Sequence, residues 1–255
     1  MLNDADLERY ARQVIMPEMG EDGQKALLSA KVLVVGAGGL GAPVLLYLAS
    51  AGVGNITIID DDMVSRSDLN RQIIYQTQDI GSQKVKHAVT AASLLNPDIK
   101  LSTLPIRATI GNIRKLIAAH DVIVDCSDNV ETRYLLGDTA HREKTPLVFG
   151  GAVRTEGQIA VFQSGIAGFE DSPCFRCVFP AMPDTSHQAL GCSEAGILGP
   201  VTGVIGSMQA LEVIKLVTGM GSSLTSRLLL FDGFNGSSIE ITTRKRSKCM
   251  CCGVK

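Results

Sequence analysis

A glycine-rich turn between two apolar segments is the feature that most constrains the fold of this chain. The run Gly36-Ala-Gly-Gly-Leu-Gly41 follows residues 31–35, rich in valine, and precedes residues 42–49, rich in leucine and alanine. Glycines in GxGxxG spacing allow a tight strand-to-helix turn, close approach of a phosphate to the backbone, and packing of the helix on the sheet. We therefore predict that a nucleotide binds at Gly36, Gly38, Gly39 and Gly41.

Strand-like and helix-like segments alternate on both sides of this turn, which predicts an α/β fold with a Rossmann-like, doubly wound, mostly parallel sheet. The predicted strands are 31–35, 55–60, 100–105, 122–126 and 146–149, and the predicted helices are 3–28 (broken near 17–20), 42–49, 84–95, 112–119 and 199–218. Residues 157–162, 227–231 and 239–243 predict an antiparallel C-terminal extension of the sheet, and residues 163–198 an irregular crossover.

The chain of 255 residues is interpreted as one domain, 1–255. It divides into an N-terminal helical arm, 1–29, a nucleotide-binding half, 30–150, and a half that carries most of the cysteines, 151–255. In the second half, Gly199, Gly203 and Gly206 are expected to let neighbouring backbone approach the long helix closely.

Charge and composition argue against several partners and compartments. A formal net charge of -2 gives no general attraction to nucleic acid or to an anionic membrane. The first residues lack the order of a secretory signal, and no run of about 18 uninterrupted apolar residues occurs. Seven cysteines, an odd number, fit a reducing compartment better than a disulfide framework. We expect a cytoplasmic protein without nucleic-acid or membrane partners.

The residues after the second predicted strand distinguish between two nucleotides. Asp60, at the end of that strand, is placed to bind ribose hydroxyls. Such a turn occurs more often in NAD dehydrogenases. However, Arg71 and Lys84 follow Asp60 closely, and two cations suit the charge of a triphosphate better than that of a pyrophosphate bridge. ATP is therefore the better ligand. The nearby candidates for nucleotide binding are Asp62, Ser67, Asp68, Asn70 and Asn129.

Asp128 lies just after the predicted strand 122–126, at the sheet edge where ligands of open α/β folds bind. Its carboxylate suits Mg²⁺ that is also bound to phosphate oxygens. The competing interpretation is that Asp128 is the N-cap of a helix over residues 131–136.

Two cysteine doublets provide the ligands of a structural zinc site. Cys174 and Cys177 form one CxxC, and Cys249 and Cys252 form the other. Four thiolates make a closed tetrahedral site, which would fix the crossover to the C-terminal segment. A redox CxxC is the competing interpretation, and Cys251 competes with Cys252 for the fourth position.

Together these motifs resemble those of the ubiquitin-activating-enzyme-like adenylyltransferases of the MoeB/ThiF/HesA group. The motifs are YARQ from Tyr10, GAGGLG from Gly36, DDDMVSRSDLNRQ from Asp60, GSQKV from Gly81, DCSDN from Asp125, EGQIAVF from Glu156, CFRC from Cys174 and the helix after Gly196. The resemblance covers nearly the whole chain.

The resemblance implies that ATP adenylates the C-terminal carboxylate of a small β-grasp sulfur carrier ending in Gly-Gly, with release of pyrophosphate. The pathway would be molybdenum-cofactor or thiamine synthesis, with a cysteine desulfurase or a rhodanese as sulfur donor. Arg71, Lys84 and Asp128 would form the catalytic centre, with ATP, Mg²⁺ and Zn²⁺ bound. Arg12 would reach the phosphates of the partner subunit in a homodimer, and Cys192 matches a cysteine that takes part in sulfur transfer in the thiamine branch.

One residue departs from the family pattern. The family usually has Ser-Asn-Leu where this chain has Ser67-Asp68-Leu69. Three interpretations remain: Asp68 contacts Mg²⁺, faces away from the nucleotide, or weakens ATP binding by repulsion.

Two other functions remain as alternatives, a non-catalytic nucleotide-binding scaffold for the carrier and an NAD-dependent oxidoreductase with structural zinc.

Overall fold

The computed structural model describes residues 2–180 and 195–253. Its helices are α1 (Asp4–Val14), α2 (Gly20–Ser29), α3 (Gly41–Ala51), α4 (Lys84–Leu95), α5 (Ile113–Ala118), α6 (Val130–Glu143), α7 (Phe175–Val178) and α8 (Gly199–Thr218). Its strands are β1 (Lys31–Val35), β2 (Asn55–Ile59), β3 (Lys100–Leu104), β4 (Val122–Asp125), β5 (Leu147–Val153), β6 (Glu156–Phe162), β7 (Arg227–Asp232) and β8 (Ser237–Thr242). Two short 3₁₀ turns, Arg66–Asp68 and Thr77–Asp79, lie between β2 and α4.

One sheet contains all eight of these strands, in the order β3-β2-β1-β4-β5-β6-β7-β8. The five strands from β3 to β5 are parallel, and the remaining pairs are antiparallel. The predicted mostly parallel, Rossmann-like sheet with an antiparallel extension is confirmed. Strand order reverses direction between β1 and β4, where Val35 is paired with both Ile59 and Asp125. In open α/β sheets this reversal opens a crevice at the carboxyl ends of the strands.

Both faces of the sheet are covered, as the apolar strands require. In β1, Val32 and Val34 belong to a core shared with helices α2, α3, α4 and α8. Leu33 and Val35 point the other way, into a core shared with α5, α6 and α7. Side chains alternate across a strand, so a strand with apolar residues at every position is stable only between two layers of helices.

The N-terminal arm is fixed to the nucleotide-binding half by buried polar contacts. Tyr10 is buried, and its hydroxyl accepts a hydrogen bond of 2.8 Å from Nδ2 of Asn96. Gly52 ends α3 with φ +86°, and a Cβ there would lie 2.6 Å from the Tyr10 ring. Only glycine satisfies both the backbone angle and this close approach.

The structure differs from the sequence expectation beyond residue 149. Strand β5 continues to Val153 because its antiparallel pairing with β6 extends to Val153 and Glu156. The segment predicted to be an irregular crossover contains the short helix α7, whose Phe175 ring packs against Phe149, with ring centroids 5.4 Å apart. Residues 181–194 of that segment lie outside the described part of the chain.

Helix α8 is long and apolar enough to cross a membrane by length and composition alone. It packs instead on α2, α3 and strands β4 to β6. Glu212 in α8 is buried, accepts a hydrogen bond of 2.8 Å from the backbone N–H of Leu224, and pairs with Lys215. These contacts are those of a core helix of the fold.

The three glycines of α8 differ in their surroundings. A Cβ on Gly199 would lie 2.5 Å from the carbonyl oxygen of Asn70, and one on Gly206 would lie 2.5 Å from Cγ of Pro43. Among the described residues, nothing lies within 4 Å of a Cβ on Gly203. Close approach is confirmed at Gly199 and Gly206, and the expectation for Gly203 is wrong because that position faces open space.

This difference predicts opposite effects of the same substitution within one helix. Gly206→Ala should lower the free energy of unfolding by about 1–3 kcal/mol, because the methyl group overlaps Pro43 and the Leu40 carbonyl. Gly203→Ala should raise it by up to about 1 kcal/mol through helix propensity. Urea unfolding measures both, and equal effects of the two substitutions would contradict the packing described for α8.

Candidate functional site

A cavity of about 330 Å³ lies at the carboxyl ends of β1, β2 and β4, where the strand order reverses. Many of the predicted site residues line it. They are Gly36, Gly38, Gly39, Asp60, Asp62, Arg71, Lys84, Asp128 and Asn129. The predicted residues Gly41, Ser67, Asp68 and Asn70 are not among its lining residues.

The glycine turn forms one wall of the cavity. Gly36 has φ +97°, and a Cβ there would lie 2.7 Å from the carbonyl oxygen of Cys126, so the turn and β4 approach to a distance that only glycine permits. A Cβ on Gly41 would lie 2.1 Å from the carbonyl oxygen of Gly36. Gly41 therefore allows α3 to start immediately after the turn, whereas Gly38 and Gly39 face the cavity.

Asp60 follows β2 and supports the glycine turn. Its Oδ2 accepts a hydrogen bond of 2.7 Å from the backbone N–H of Ala37, and its Oδ1 accepts one of 2.8 Å from that of Asp62. Burial raises the pKa of Asp60, although these two hydrogen bonds act in the opposite direction. The carboxylate joins β2 to the turn and lines the cavity, which is the placement that ribose binding requires; the ribose contact itself stays a prediction.

Lys84 is the buried cation of the site. Its Nζ donates a hydrogen bond of 2.9 Å to Oδ2 of Asp62 and lies 3.8 Å from Oδ2 of Asp68. Burial acts to lower the pKa of Lys84, but the contact with Asp62 and the charge of Asp60 outweigh it, so the pKa is raised. The ammonium group is therefore charged at neutral pH.

Arg71 is held by its own chain segment. Its guanidinium donates to the carbonyl oxygen of Ser67 at 2.7 Å, to Oδ1 of Asn70 at 3.0 Å and to Oδ1 of Asp68 at 3.4 Å. Gly199, the first residue of α8, packs closely against the backbone of Asn70 and Arg71. Ser67 and Asn70 thus position Arg71 without lining the cavity.

Asp68 is buried beside both cations. Its Oδ2 accepts hydrogen bonds from the backbone N–H and the hydroxyl of Ser65, at 2.9 and 3.0 Å. Its Oδ1 accepts one of 2.9 Å from Nε2 of Gln72. The carboxylate is part of the 3₁₀ turn Arg66–Asp68 and lies behind the cavity wall, so of the three interpretations the structure favours those without a direct Mg²⁺ contact.

The end of β4 supplies Asp128 and Asn129. The N-cap of α6 is Asn129, whose Oδ1 accepts a hydrogen bond of 2.9 Å from the backbone N–H of Thr132. The interpretation of Asp128 as the helix N-cap is therefore wrong. Asp128 is exposed and lines the cavity, and its contact with Mg²⁺ stays a prediction.

Several further polar residues line the cavity that the sequence did not predict, among them Gln72, Arg107 and Arg133. The guanidinium of Arg133 donates a hydrogen bond of 2.9 Å to the carbonyl oxygen of Ser127 and lies over the Phe149 ring, 5.3 Å from its centroid. Arg107 follows β3, and Arg133 lies in the first turn of α6, the helix after β4. The rule that ligands bind beyond the carboxyl ends of parallel strands points to the segments after β3 and β4, but it does not single out these two side chains.

The cysteine doublets meet at a second centre, formed by α7 and the C-terminal segment. Sγ of Cys174 lies 3.5 Å from Sγ of Cys249, and Sγ of Cys177 lies 3.3 Å from that of Cys252. Sulfur atoms bound to one tetrahedral zinc are separated by roughly 3.8 Å, since each Zn–S bond is about 2.3 Å. The set with mutual distances within 4.8 Å contains Cys252, not Cys251, so the geometry favours Cys252 as the fourth ligand.

The surroundings of the cysteine centre fit thiolates bound to a metal. The backbone N–H of Arg246 donates to Sγ of Cys177 at 3.3 Å, a contact that stabilises a thiolate. Burial nevertheless raises the pKa of the Cys177 thiol. A metal cation offsets the cost of ionising closely spaced thiols, so this donor set fits Zn²⁺.

Comparison with known proteins identifies the family. The family model described as the ThiF family matches residues 10–252. The chain belongs to the ThiF family. The match includes the glycine turn, the cavity and both cysteine doublets.

Curated relatives of this ThiF-family chain bear related names. It is 42% identical over 248 residues to the sulfur carrier protein adenylyltransferase of Thermus thermophilus, covering 97% of this chain and 91% of that one. It is 40% identical over 252 residues to the SAMP-activating enzyme E1 of Haloferax volcanii, with coverages of 99% and 91%. It is 42% identical to adenylyltransferase and sulfurtransferase MOCS3 of Caenorhabditis briggsae but spans only 62% of that protein.

Solved structures show the same fold. The crystal structure of E. coli MccB with MccA-N7isoASN superposes with a TM-score of 0.85, covering 99% of this chain and 76% of MccB. The sequence identity is only 19%, so this similarity supports the fold alone.

The structure does not test the roles predicted for Arg12 and Cys192 in this ThiF-family chain. Arg12 is exposed in the last turn of α1 and is not among the residues that line the cavity of its own chain. Cys192 lies outside the described residues. Both assignments stay predictions.

Proposed function

We propose that this protein uses ATP to adenylate the C-terminal glycine carboxylate of a small ubiquitin-like sulfur carrier. The observation that carries the proposal is the cavity at the strand reversal, which combines the glycine turn and Asp60 with Arg71 and Lys84. The names of relatives that match almost the full length of this chain support the same activity.

The charges in the cavity favour a triphosphate over NAD. Lys84 is buried and charged, and Arg71, Arg107 and Arg133 line the same space. A dinucleotide carries only the two charges of its pyrophosphate bridge, whereas a triphosphate offers more anionic oxygens to these cations. Asp62 and Asp68 pair Lys84 and Arg71 in the empty site, and four cationic side chains around one cavity suit the larger charge of ATP better than a pyrophosphate bridge.

In the proposed reaction, one carboxylate oxygen of the carrier attacks the α-phosphorus of ATP. A new C–O–P linkage forms, the bond from the α-phosphorus to the bridging oxygen breaks, and pyrophosphate leaves with that electron pair. Arg71 and Lys84 stabilise the charge that develops on the phosphates, and Asp60 orients the nucleoside. Mg²⁺, when held by Asp128, would supply further neutralisation of the phosphates. The chain contributes positioning and fixed charge.

Pyrophosphate exchange tests this proposal. Purified protein with ATP, Mg²⁺ and a panel of carriers ending in Gly-Gly should exchange labelled pyrophosphate into ATP in the presence of one carrier. Lys84→Ala and Arg71→Ala should each lower the rate on the order of a hundredfold, because each removes fixed charge from the phosphates.

Matched controls exist close by in the chain. Lys86→Ala removes an exposed lysine from the same helix as Lys84, and Arg66→Ala removes an exposed arginine from the turn before Arg71; both should retain exchange. Binding of ATP without exchange for any carrier would favour the non-catalytic scaffold. Tight binding of NAD without ATP binding would favour the oxidoreductase.

The active unit is proposed to be a homodimer in which Arg12 completes the site of the partner subunit. Arg12 is exposed on the amphipathic helix α1, so a second chain can reach it. Arg9, three residues earlier, is engaged within its own chain by Asp98 at 3.1 Å and by the carbonyl oxygen of Leu95 at 3.2 Å. Arg12 is therefore the better candidate for a contact between subunits.

Mixing of two inactive variants tests this contact. Arg12→Ala and Lys84→Ala should each lower exchange on the order of a hundredfold, but heterodimers would combine an intact Arg12 with an intact Lys84 at one of their two sites. An equal mixture should recover about a quarter of the wild-type rate, since half of the dimers are mixed and half of their sites are intact. Arg9→Ala in place of Arg12→Ala should be active alone. A mixture as inactive as its parents would show that Arg12 does not act between subunits.

A structural zinc ion is proposed at Cys174, Cys177, Cys249 and Cys252. It would join α7 to the C-terminal segment and so stabilise the half of the chain that follows β6. The four sulfurs leave no open position for water, which makes the proposed role structural.

Removal of one ligand tests the zinc proposal. Cys177→Ser should lower the zinc content from near one per chain and reduce the melting temperature by about 10 °C, because zinc binding contributes to folding. Cys251→Ser is the matched control and should keep the zinc content and the melting temperature of the wild type. Metal analysis and thermal unfolding measure the two effects, and zinc loss in the Cys251 variant instead would exchange the assignments of Cys251 and Cys252.

The finer identity of the carrier belongs to the same proposal. A MoaD-like carrier of molybdenum-cofactor synthesis and a ThiS-like carrier of thiamine synthesis both fit, and residues 153–158 slightly favour the first. A cysteine desulfurase or a rhodanese would then donate sulfur, with Cys192 as the candidate thiol of this chain. The carrier panel in the exchange assay distinguishes the branches.

A further inference from the structure

Asp68 lies between the two cations on which the proposed function depends. Its carboxylate is 3.4 Å from the guanidinium of Arg71 and 3.8 Å from Nζ of Lys84. Only 7% of the residue is exposed. A fixed anion therefore already occupies the neighbourhood of the positive charges that a polyphosphate would use.

The position of this carboxylate is strongly constrained. Oδ2 accepts two hydrogen bonds from Ser65, and Oδ1 accepts one from Gln72. Turning the side chain away would leave the buried amide of Gln72 without its acceptor, a costly outcome. Asp68 consequently stays beside the cations when a ligand enters.

Asp62, the other carboxylate on Lys84, differs in this respect. Its side chain is 66% exposed, so it can exchange Lys84 for water when a ligand arrives. Asp68 has no comparable access to solvent. Asp68 therefore stays beside Lys84 when a ligand enters, whereas Asp62 can move away from it.

We propose that Asp68 sets the affinity of the cavity for polyphosphate by competing with the phosphates for Arg71 and Lys84. The inference rests on the proposed function, since it requires that the cavity binds ATP. In the empty site Asp68 compensates two cations that would otherwise be poorly paired. When ATP is bound, the same carboxylate repels the phosphates. Asp68 thus stabilises the empty site and lowers the affinity of the cavity for ATP.

The surroundings can accept a neutral side chain at this position. Among the described residues, Oε1 of Gln72 is buried without a hydrogen-bond partner. An asparagine at position 68 would keep an oxygen for the Ser65 N–H, and its amide N–H could donate to Gln72 after rotation of the Gln72 amide. Asp68→Asn should therefore fold and change mainly the charge.

The chain also offers a matched control. Asp79 has the same exposure, 7%, and occupies the equivalent place in the second 3₁₀ turn, Thr77–Asp79. Its Oδ2 accepts a hydrogen bond of 2.8 Å from the backbone N–H of Gln76, and its Oδ1 lies 2.9 Å from His87. It does not line the cavity or contact Arg71 or Lys84, so Asp79→Asn makes the same change of group away from the site.

Calorimetric titration of wild type, Asp68→Asn and Asp79→Asn with ATP, ADP, AMP and adenosine tests the proposal. Asp68→Asn should lower the Kd for ATP on the order of tenfold, with smaller effects for ADP and AMP and none for adenosine, because the removed repulsion scales with ligand charge. Asp79→Asn should match wild type. High salt should reduce the difference in ATP affinity between Asp68→Asn and wild type, because salt screens the repulsion.

Equal or weaker ATP binding by Asp68→Asn, with wild type binding ATP, would overturn the role of Asp68 and leave the proposed function intact. A gain of the same size for adenosine would also overturn it, because a change of packing and not of charge would then be responsible. Failure of wild type to bind ATP would overturn the proposed function together with this inference.

Discussion

The close contact between the glycine turn and the end of β4 is the constraint on which the rest of the site depends. Gly36, with its positive φ, approaches the Cys126 carbonyl to a distance that excludes any side chain. This contact lies directly beyond the last pair of β1 and β4, Val35 and Asp125, so the two strands stay side by side to their carboxyl ends. The cavity lies at these strand ends, and α3 begins beside it. Without this contact, the two halves of the sheet could not present their polar ends to one ligand.

Charge is the second organising element. The end of β2 and the start of α4 bring Asp60, Asp62 and Lys84 together. The chain between them adds Arg71 at the cavity and Asp68 behind its wall. Buried charges are stable only when paired, so the acidic residues keep the cations in place while the site is empty. A site built in this way is organised before its ligand arrives, which favours catalysis by positioning and fixed charge. The same pairing sets the limit on how tightly a polyanion can bind.

The cysteine centre organises the other end of the molecule. It brings α7 together with the chain segment after β8. On one side of it, the Phe175 ring packs against Tyr134 and Phe149, which belong to α6 and β5. The helix that begins after β4 is therefore supported both by its Asn129 cap at the cavity and by the aromatic residues next to the cysteines. Loss of the cysteine centre would loosen a layer of the same core that carries the cavity.

The sequence by itself determined the alternation of strands and helices, most of their bounds to within two residues, the glycine turn and the two cysteine doublets. These features are local: hydrophobic period, turn chemistry and ligand spacing are properties of neighbouring residues. Tertiary structure alone decided that β5 extends to Val153, that Asn129 caps α6 in place of Asp128, and that Arg107 and Arg133 join the cavity. It also decided that Asp68 lies between Arg71 and Lys84, and that Cys252 completes the group of four sulfurs. Each of these outcomes depends on contacts between segments distant in the chain or on the direction of a side chain, which the spacing of residues in the sequence does not specify.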